Sequence, residues 1–234
     1  MTIPRRTFVA MTGAAIAAPS NIYGKDEVPS LLDHILLGCK DLESGIAFVE
    51  ERTGVRAAFG GVHPGRGTQN ALLALGTRRY LEIIAPDRKQ AGATDRLGLL
   101  KLTEPRLVGW AAHPGDLNDL ANRLRAASLA FDGPTPGSRK RPDGQLLQWK
   151  TLNLHDDSGG LLPFFIEWSA DSLHPSADSP KGCSLLRFEA ATPDPEALSK
   201  RVALLGLDLP IAKGDKTQLR ATIRGPKGEC SVTS

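Results

Sequence analysis

Apolar positions in this chain gather into short runs of two kinds, and the two alternate. Leu31-Leu32-Asp33-His34-Ile35-Leu36-Leu37-Gly38 is a compact run of strand length. After it, Asp41 reads as the cap of a helix in which Leu42, Ile46 and Val49 recur at i, i+4 and i+7, and Gly54 is the stop. Val55 to Phe59 reads as a second strand, Gly60 to Thr68 as a glycine-rich loop, and Ala71 to Leu75 and Arg79 to Ala85 as two further strands around the turn Gly76-Thr77. The unit is β-α-β-β-β.

The order then recurs. Arg106 to Ala111 is a strand candidate, and Asp116-Leu117 opens a helix with Leu117, Leu120 and Leu124 on one stripe. A Pro/Gly-rich loop from Asp132 to Gly144 precedes strands at Leu146 to Leu154 and Leu161 to Trp168. Asp41-Leu42 matches Asp116-Leu117, and Tyr80-Leu81-Glu82 matches Phe165-Ile166-Glu167; the longer stretch Asp132 to Gly144 absorbs the difference in spacing. A shorter echo follows, with a strand at Cys183 to Ala190, a cap at Asp194 before Pro195, a stripe of Leu198, Val202 and Leu205 closed by Gly206, and an alternating strand at Thr217 to Arg224. The expected architecture is α+β: tandem β-α-β-β-β modules at 31–87 and 105–168, a Ser/Pro/Asp-rich linker at 169–181, and a C-terminal β-α-β extension at 182–234 that completes the core, caps the sheet or mediates dimer contacts.

The start of the chain carries an address. Arg5-Arg6-Thr7-Phe8, an uncharged stretch rich in Ala, Gly and Thr, and Ala15-Ile16-Ala17 have the layout of a twin-arginine export signal over 1–20. The expected destination is the periplasm. Loss of the two arginines in Met1 to Ser20 takes the formal net charge from +3 to +1, which gives no electrostatic argument for nucleic acid. No apolar run reaches the length of a bilayer span, so stable membrane insertion is not expected. The partner is a small-molecule substrate or ligand, with a homodimer left open. In an oxidising compartment Cys183 and Cys230 either bridge or stay as free thiols, and the three cysteines include no Cys-x-x-Cys pair.

Candidate chemistry is concentrated in a few places. Four glycines in Gly60 to Thr68 expose backbone to a ligand, and Arg66, Thr68 and Asn70 there suit an anionic or carbonyl-bearing substrate. The basic run Arg139-Lys140-Arg141 suits a carboxylate clamp, with Arg141 at its end, or is plain solvated surface. Trp110 and Trp149 line an apolar pocket or belong to the core. His34, Glu82 and Glu167 lie among apolar neighbours, where an imidazole is either a hydrogen-bonded core group or a site group and an ionised carboxylate needs a partner. The chain has no Gly-x-Gly-x-x-Gly opening a helix, no Gly-Lys-Ser/Thr and no Gly-x-Ser-x-Gly, which argues against nucleotide binding and a serine hydrolase.

Paired β-α-β-β-β units with His34 in the first strand and Glu82 and Glu167 in the last strands resemble the vicinal oxygen chelate superfamily. The runs Leu32-Asp33-His34, Gly60 to Leu72, Tyr80 to Ile84 and Leu162 to Trp168 resemble its glyoxalase-like domain branch. The resemblance implies curved mixed sheets around a cleft and a divalent metal (Zn, Mn, Ni or Fe) held by His34, Glu82 and Glu167. The fourth ligand position falls on Gly109, with His63 or Gln69 as substitutes. It implies a metal-assisted isomerase or lyase acting on a small carbonyl or vicinal-oxygen compound, with Glu82 or Glu167 as general base if no metal binds. Substrate contacts fall to His63, Arg66, Thr68, Asn70, Trp110, Arg141 and Trp149. A metal-free protein that binds or sequesters a small ligand on the same fold is the alternative.

Overall fold

The structure is a computed structural model that describes residues 27–90, 95 and 97–234. The export signal expected at 1–20 lies outside the described residues. The first module runs β1 (Leu32–Gly38), α1 (Leu42–Thr53), β2 (Ala58–His63), β3 (Thr68–Gly76) and β4 (Arg79–Pro86). The second runs β5 (Arg106–Ala112), α2 (Leu117–Ala126), β6 (Phe131–Lys140), β7 (Leu146–Leu154) and β8 (Phe164–Trp168). All eight strands form one sheet in the order β2-β3-β4-β1-β5-β8-β7-β6. Within each module the first and last strands pair in parallel, and β1 meets β5 antiparallel at the centre. The order therefore reads the same outward from either side of that junction.

Helix starts follow from side-chain chemistry. Asp41 accepts from the Ser44 amide, and Asp116 accepts from the amides of Asn118 and Asp119. Each satisfies donors that a helix N-terminus leaves without partners. Gly54 ends α1 at φ 81°, donating its N–H to the Glu50 carbonyl.

Two stretches expected as loops are strands. Gly60 and Gly61 lie inside β2, and the turn is confined to the residues between His63 and Thr68. The Pro/Gly-rich stretch from Asp132 is β6, at the sheet edge where a missing amide donor is tolerated. The glycines have a packing reason. The sheet curls until β6 approaches β2, and a Cβ on Gly61 would sit 2.7 Å from the Lys140 carbonyl oxygen.

After β8, a connector carries Pro175–Ala177 across β3 and β4, with the Ala74 amide donating to the Pro180 carbonyl. The chain ends in β9 (Ser184–Thr192), α3 (Pro195–Leu204), β10 (Ile211–Lys213), β11 (Gln218–Gly225) and β12 (Gly228–Thr233). These strands form a second sheet of order β10-β9-β11-β12. Its Phe188, Leu219, Ala221 and Ile223 join α1, α2 and one face of the main sheet in a single core. Among the uses left open for this segment, the structure shows completion of the core. Cys39, Cys183 and Cys230 are free thiols, and burial pushes the Cys39 thiol up to about 12. No helix of the described residues is long and apolar enough to cross a membrane.

Candidate active site

Strand register decides which side chains share the concave face of the main sheet. His34 lies opposite Tyr80 and Ala111, Leu36 opposite Glu82, and Asn70 opposite Ile84 and Gly61. Ala111 is opposite Phe164, Thr151 opposite Ile166, Trp149 opposite Trp168 and Gly137, and Leu147 opposite Arg139. Partners across a pleated pair point to the same side. The concave face thus has a polar wall from β1 to β4 and an apolar wall of Ala111, Leu147, Trp149 and Ile166, flanked by Phe164 and Trp168. Arg139 stands at the far edge, where its guanidinium donates to the Gly60 carbonyl across the seam with β2.

The polar wall is built around Asp33 and His34, which are neighbours in the chain yet touch. The β1–β5 register shifts between Leu32 and His34, leaving Asp33 as the extra residue of a bulge. Asp33 is 0% exposed and takes three donors: His34 Nδ1 at 2.7 Å, His174 Nε2 at 3.1 Å and Trp168 Nε1 at 3.2 Å. Burial pushes its carboxyl up, but the hydrogen bonds and charges of His174 and His34 outweigh this and hold it well below the usual carboxylate range. An ionised Asp33 only accepts, so Nδ1 of His34 carries a hydrogen and Nε2 is left to face Glu82 Oε2 at 3.4 Å. Tyr80 stacks on the His34 ring at 4.5 Å, and Phe164 meets it edge-on at 5.5 Å.

Glu82 is 7% exposed. Burial alone raises its carboxyl, yet the net shift is downward because His63, His34, a hydrogen bond from Asn70 and the charge of Arg139 favour the ionised form. Asn70 Nδ2 donates to Glu82 Oε1 at 2.8 Å and approaches His63 Nε2 at 3.3 Å. His63 Nδ1 lies 2.8 Å from Thr68 Oγ1, and burial lowers the pKa of the imidazole. Both Asn70 amide hydrogens are thus directed to partners, while the buried Oδ1 has none.

The structure brings together His34, Glu82, His63, Thr68 and Asn70, with Trp149 on the opposite wall. It does not bring in Glu167, whose Oε2 accepts from the Leu117 amide at the start of α2 and whose Oε1 lies 3.5 Å from Lys150 Nζ. Phe164, Ile166 and Trp168 hold the concave positions of β8, so Glu167 belongs to the helix-facing side; in a strand one residue of register changes the face. Trp110 is also on that side, fully buried, with Nε1 donating to the Leu161 carbonyl and the ring against Phe188. Arg66 is an exposed turn residue, and Gln69 donates to the Pro86 carbonyl. Arg141 pairs with Asp143 and Asp178, leaving Arg139 as the inward-facing arginine.

Sequence reasoning passed over His174, Trp168 and Tyr80, and named Arg139 only as part of a basic run whose candidate was Arg141. Alternation along β6 and β8 carried a signal for Arg139 and Trp168. Nothing in the linker marked His174.

Register also defines the equivalence of the modules. Ala111 stands where His34 stands and Ile166 where Glu82 stands, because Ala111 pairs with Phe164 as His34 pairs with Tyr80. The second-module ligand positions are therefore Ala111 and Ile166, not Gly109 and Glu167. Neither has a donor atom. Among the described residues no group of three or more His, Cys, Asp or Glu side chains is arranged to hold a metal ion. The donor set does not fit a centre shared between the modules.

No curated protein matches the chain. A hypothetical protein from Staphylococcus aureus superposes with a TM-score of 0.61 at 16% identity, over 80% of this chain and 87% of that one. Methylmalonyl-CoA epimerase from Mycobacterium tuberculosis gives 0.43 at 21% identity, over 64% of this chain and 94% of that one. The first is a likeness of fold alone, and nothing rests on the second. A family model described as a glyoxalase-like domain matches residues 32–206. The chain belongs to the glyoxalase-like domain family.

Proposed function

We propose that the protein is an enzyme of proton transfer, an isomerase or lyase acting on a small carbonyl or vicinal-oxygen compound held between the polar and apolar walls. The observation that carries this reading is the buried chain Asp33–His34–Glu82, in which one carboxylate orients an imidazole and the imidazole faces a second carboxylate. Glu82, favoured in its ionised form, takes a proton from the carbon next to a carbonyl. The electron pair moves onto the carbonyl oxygen, and the proton returns to the neighbouring atom. His34 Nε2 shares the proton with Glu82 while Asp33 keeps the ring from turning. The apolar wall excludes water from the exchange and seats the rest of the substrate. The second-module donors needed for a metal-centred version are absent from this chain, so no step is assigned to a metal. The Arg-Arg signal supports action outside the cytoplasm.

Incubation of the protein in D2O with a panel of small 2-oxo and 2-hydroxy compounds, read by proton NMR, tests the reading. Loss of an α-proton signal is expected with the unaltered protein and not with His34→Ala or Glu82→Gln. Tight binding of a panel member with no exchange in any variant would favour the binding-protein alternative, to which the missing second-module donors also point.

A further inference from the structure

Arg139 is 3% exposed, and its guanidinium makes, among the described residues, one hydrogen bond, to the Gly60 carbonyl, and no ion pair. A guanidinium has five N–H donors and stays charged, so one carbonyl leaves most of its capacity unused in a place where water is scarce. Burial lowers its pKa, and Glu82 and Tyr80 act on it through the same interior. Register makes Arg139 the second-module counterpart of His63: each is two residues beyond the glycine that faces Asn70 or Trp149. The cation thus stands at the junction of the two walls, where the β2 and β6 edges meet.

A second unfulfilled group lies beside it. Asn70 Oδ1 is buried without a donor, and it lies so close to Gly60 that a Cβ there would come within 2.5 Å. Gly60 is the residue whose carbonyl receives Arg139. Unused cationic donors and an unused acceptor are therefore gathered around one glycine, next to Glu82. A neutral hydrocarbon satisfies neither.

We propose that Arg139 anchors the carboxylate of a small 2-hydroxy acid whose hydroxyl is received by Asn70 Oδ1 and whose apolar substituent lies against Trp149 and Ile166. This deepens the acid–base reading and rests on it for the fate of the α-proton. Planar, paired recognition of a carboxylate suits an arginine better than a lysine.

Calorimetric titration of the full chain with lactate and mandelate, and with the neutral lactamide and mandelamide, tests the assignment. Inorganic phosphate serves as a further anion, and α-proton exchange in D2O is followed in parallel. The acids are expected to bind about ten- to a hundredfold more tightly than their amides. Arg139→Gln should lose that preference, and Arg139→Lys should keep it at reduced affinity. His34→Ala should keep the preference for acid over amide while losing exchange. Acid binding without exchange in the unaltered protein would leave the anchor standing and sink only the acid–base reading. Equal affinity for acid and amide, no binding of either acid, or a preference for phosphate overturns the anchor. So does a folded Arg139→Gln that still prefers acids; if that variant does not fold, the acid–amide comparison and Arg139→Lys decide.

Discussion

His34 Nδ1 lies 2.7 Å from Oδ1 of Asp33, the residue directly before it in the chain. In an unbroken strand these two side chains would point to opposite faces. The bulge in β1 turns both inward, and the pair becomes the centre of a network that also holds His174, Trp168 and Glu82.

Asp33→Asn keeps the shape and removes the charge that three donors share. Breaking a buried, hydrogen-bonded charge cluster costs about 3–5 kcal/mol, and urea denaturation should show a loss of that order. Proton exchange should fall with it, because an amide has one acceptor oxygen where the carboxylate has two and lacks the charge that holds His34 in its tautomer.

Glu167→Gln separates the two carboxylates. Glu167 accepts at the N-terminus of α2, so its neutralisation should cost about 0.3–1 kcal/mol of stability. Exchange activity should be unchanged, whereas Glu82→Gln should abolish it. Equal loss of activity in both variants would contradict the placement of Glu167 on the helix-facing side.

Metal analysis of protein purified without chelator should find less than one equivalent of any divalent metal. Exhaustive EDTA treatment should leave thermal stability and exchange unchanged. A stoichiometric metal lost on His34→Ala would mean that the first module alone supplies a centre.

Stability should fall on acidification in two stages. His63 titrates lower in the fold than in the unfolded chain, so its contribution is complete above the ordinary imidazole value of about 6.5 and declines as pH falls toward the folded value. Asp33 and Glu82 are also lowered, so their contributions are complete above about 4–4.5 and decline below that. Denaturation curves from pH 8 to pH 3 should show both declines, and His63→Gln should reduce the upper one to the part contributed by His113, which burial also lowers.

Much of this was legible in the sequence. The caps Asp41, Asp116 and Asp194 gave the starts of α1, α2 and α3, and the recurrence of the unit gave the paired modules. His34 and Glu82 were visible as polar residues in apolar strands, and Asn70 as a polar side chain beside the glycine-rich loop. The rest depended on register. Aligning Glu167 with Glu82 by neighbouring letters was off by one position, and in a strand one position moves a side chain through the sheet. Arg141 lies one residue past the end of β6, and reading that strand as a loop hides that Arg139 is the arginine the strand turns inward. His174 was hidden more deeply, because its role arises only from where the connector crosses β3 and β4.

The connector's placement has a thermodynamic consequence. His174 donates to Asp33 while its ring meets those of Tyr80 and Trp168 edge-on. Any excursion that lifts this segment away from Tyr80 also removes one of the three donors on the aspartate that orients His34. Docking of the connector and alignment of the imidazole are therefore coupled equilibria, and whatever loosens the first draws on the free energy that keeps the ring in register.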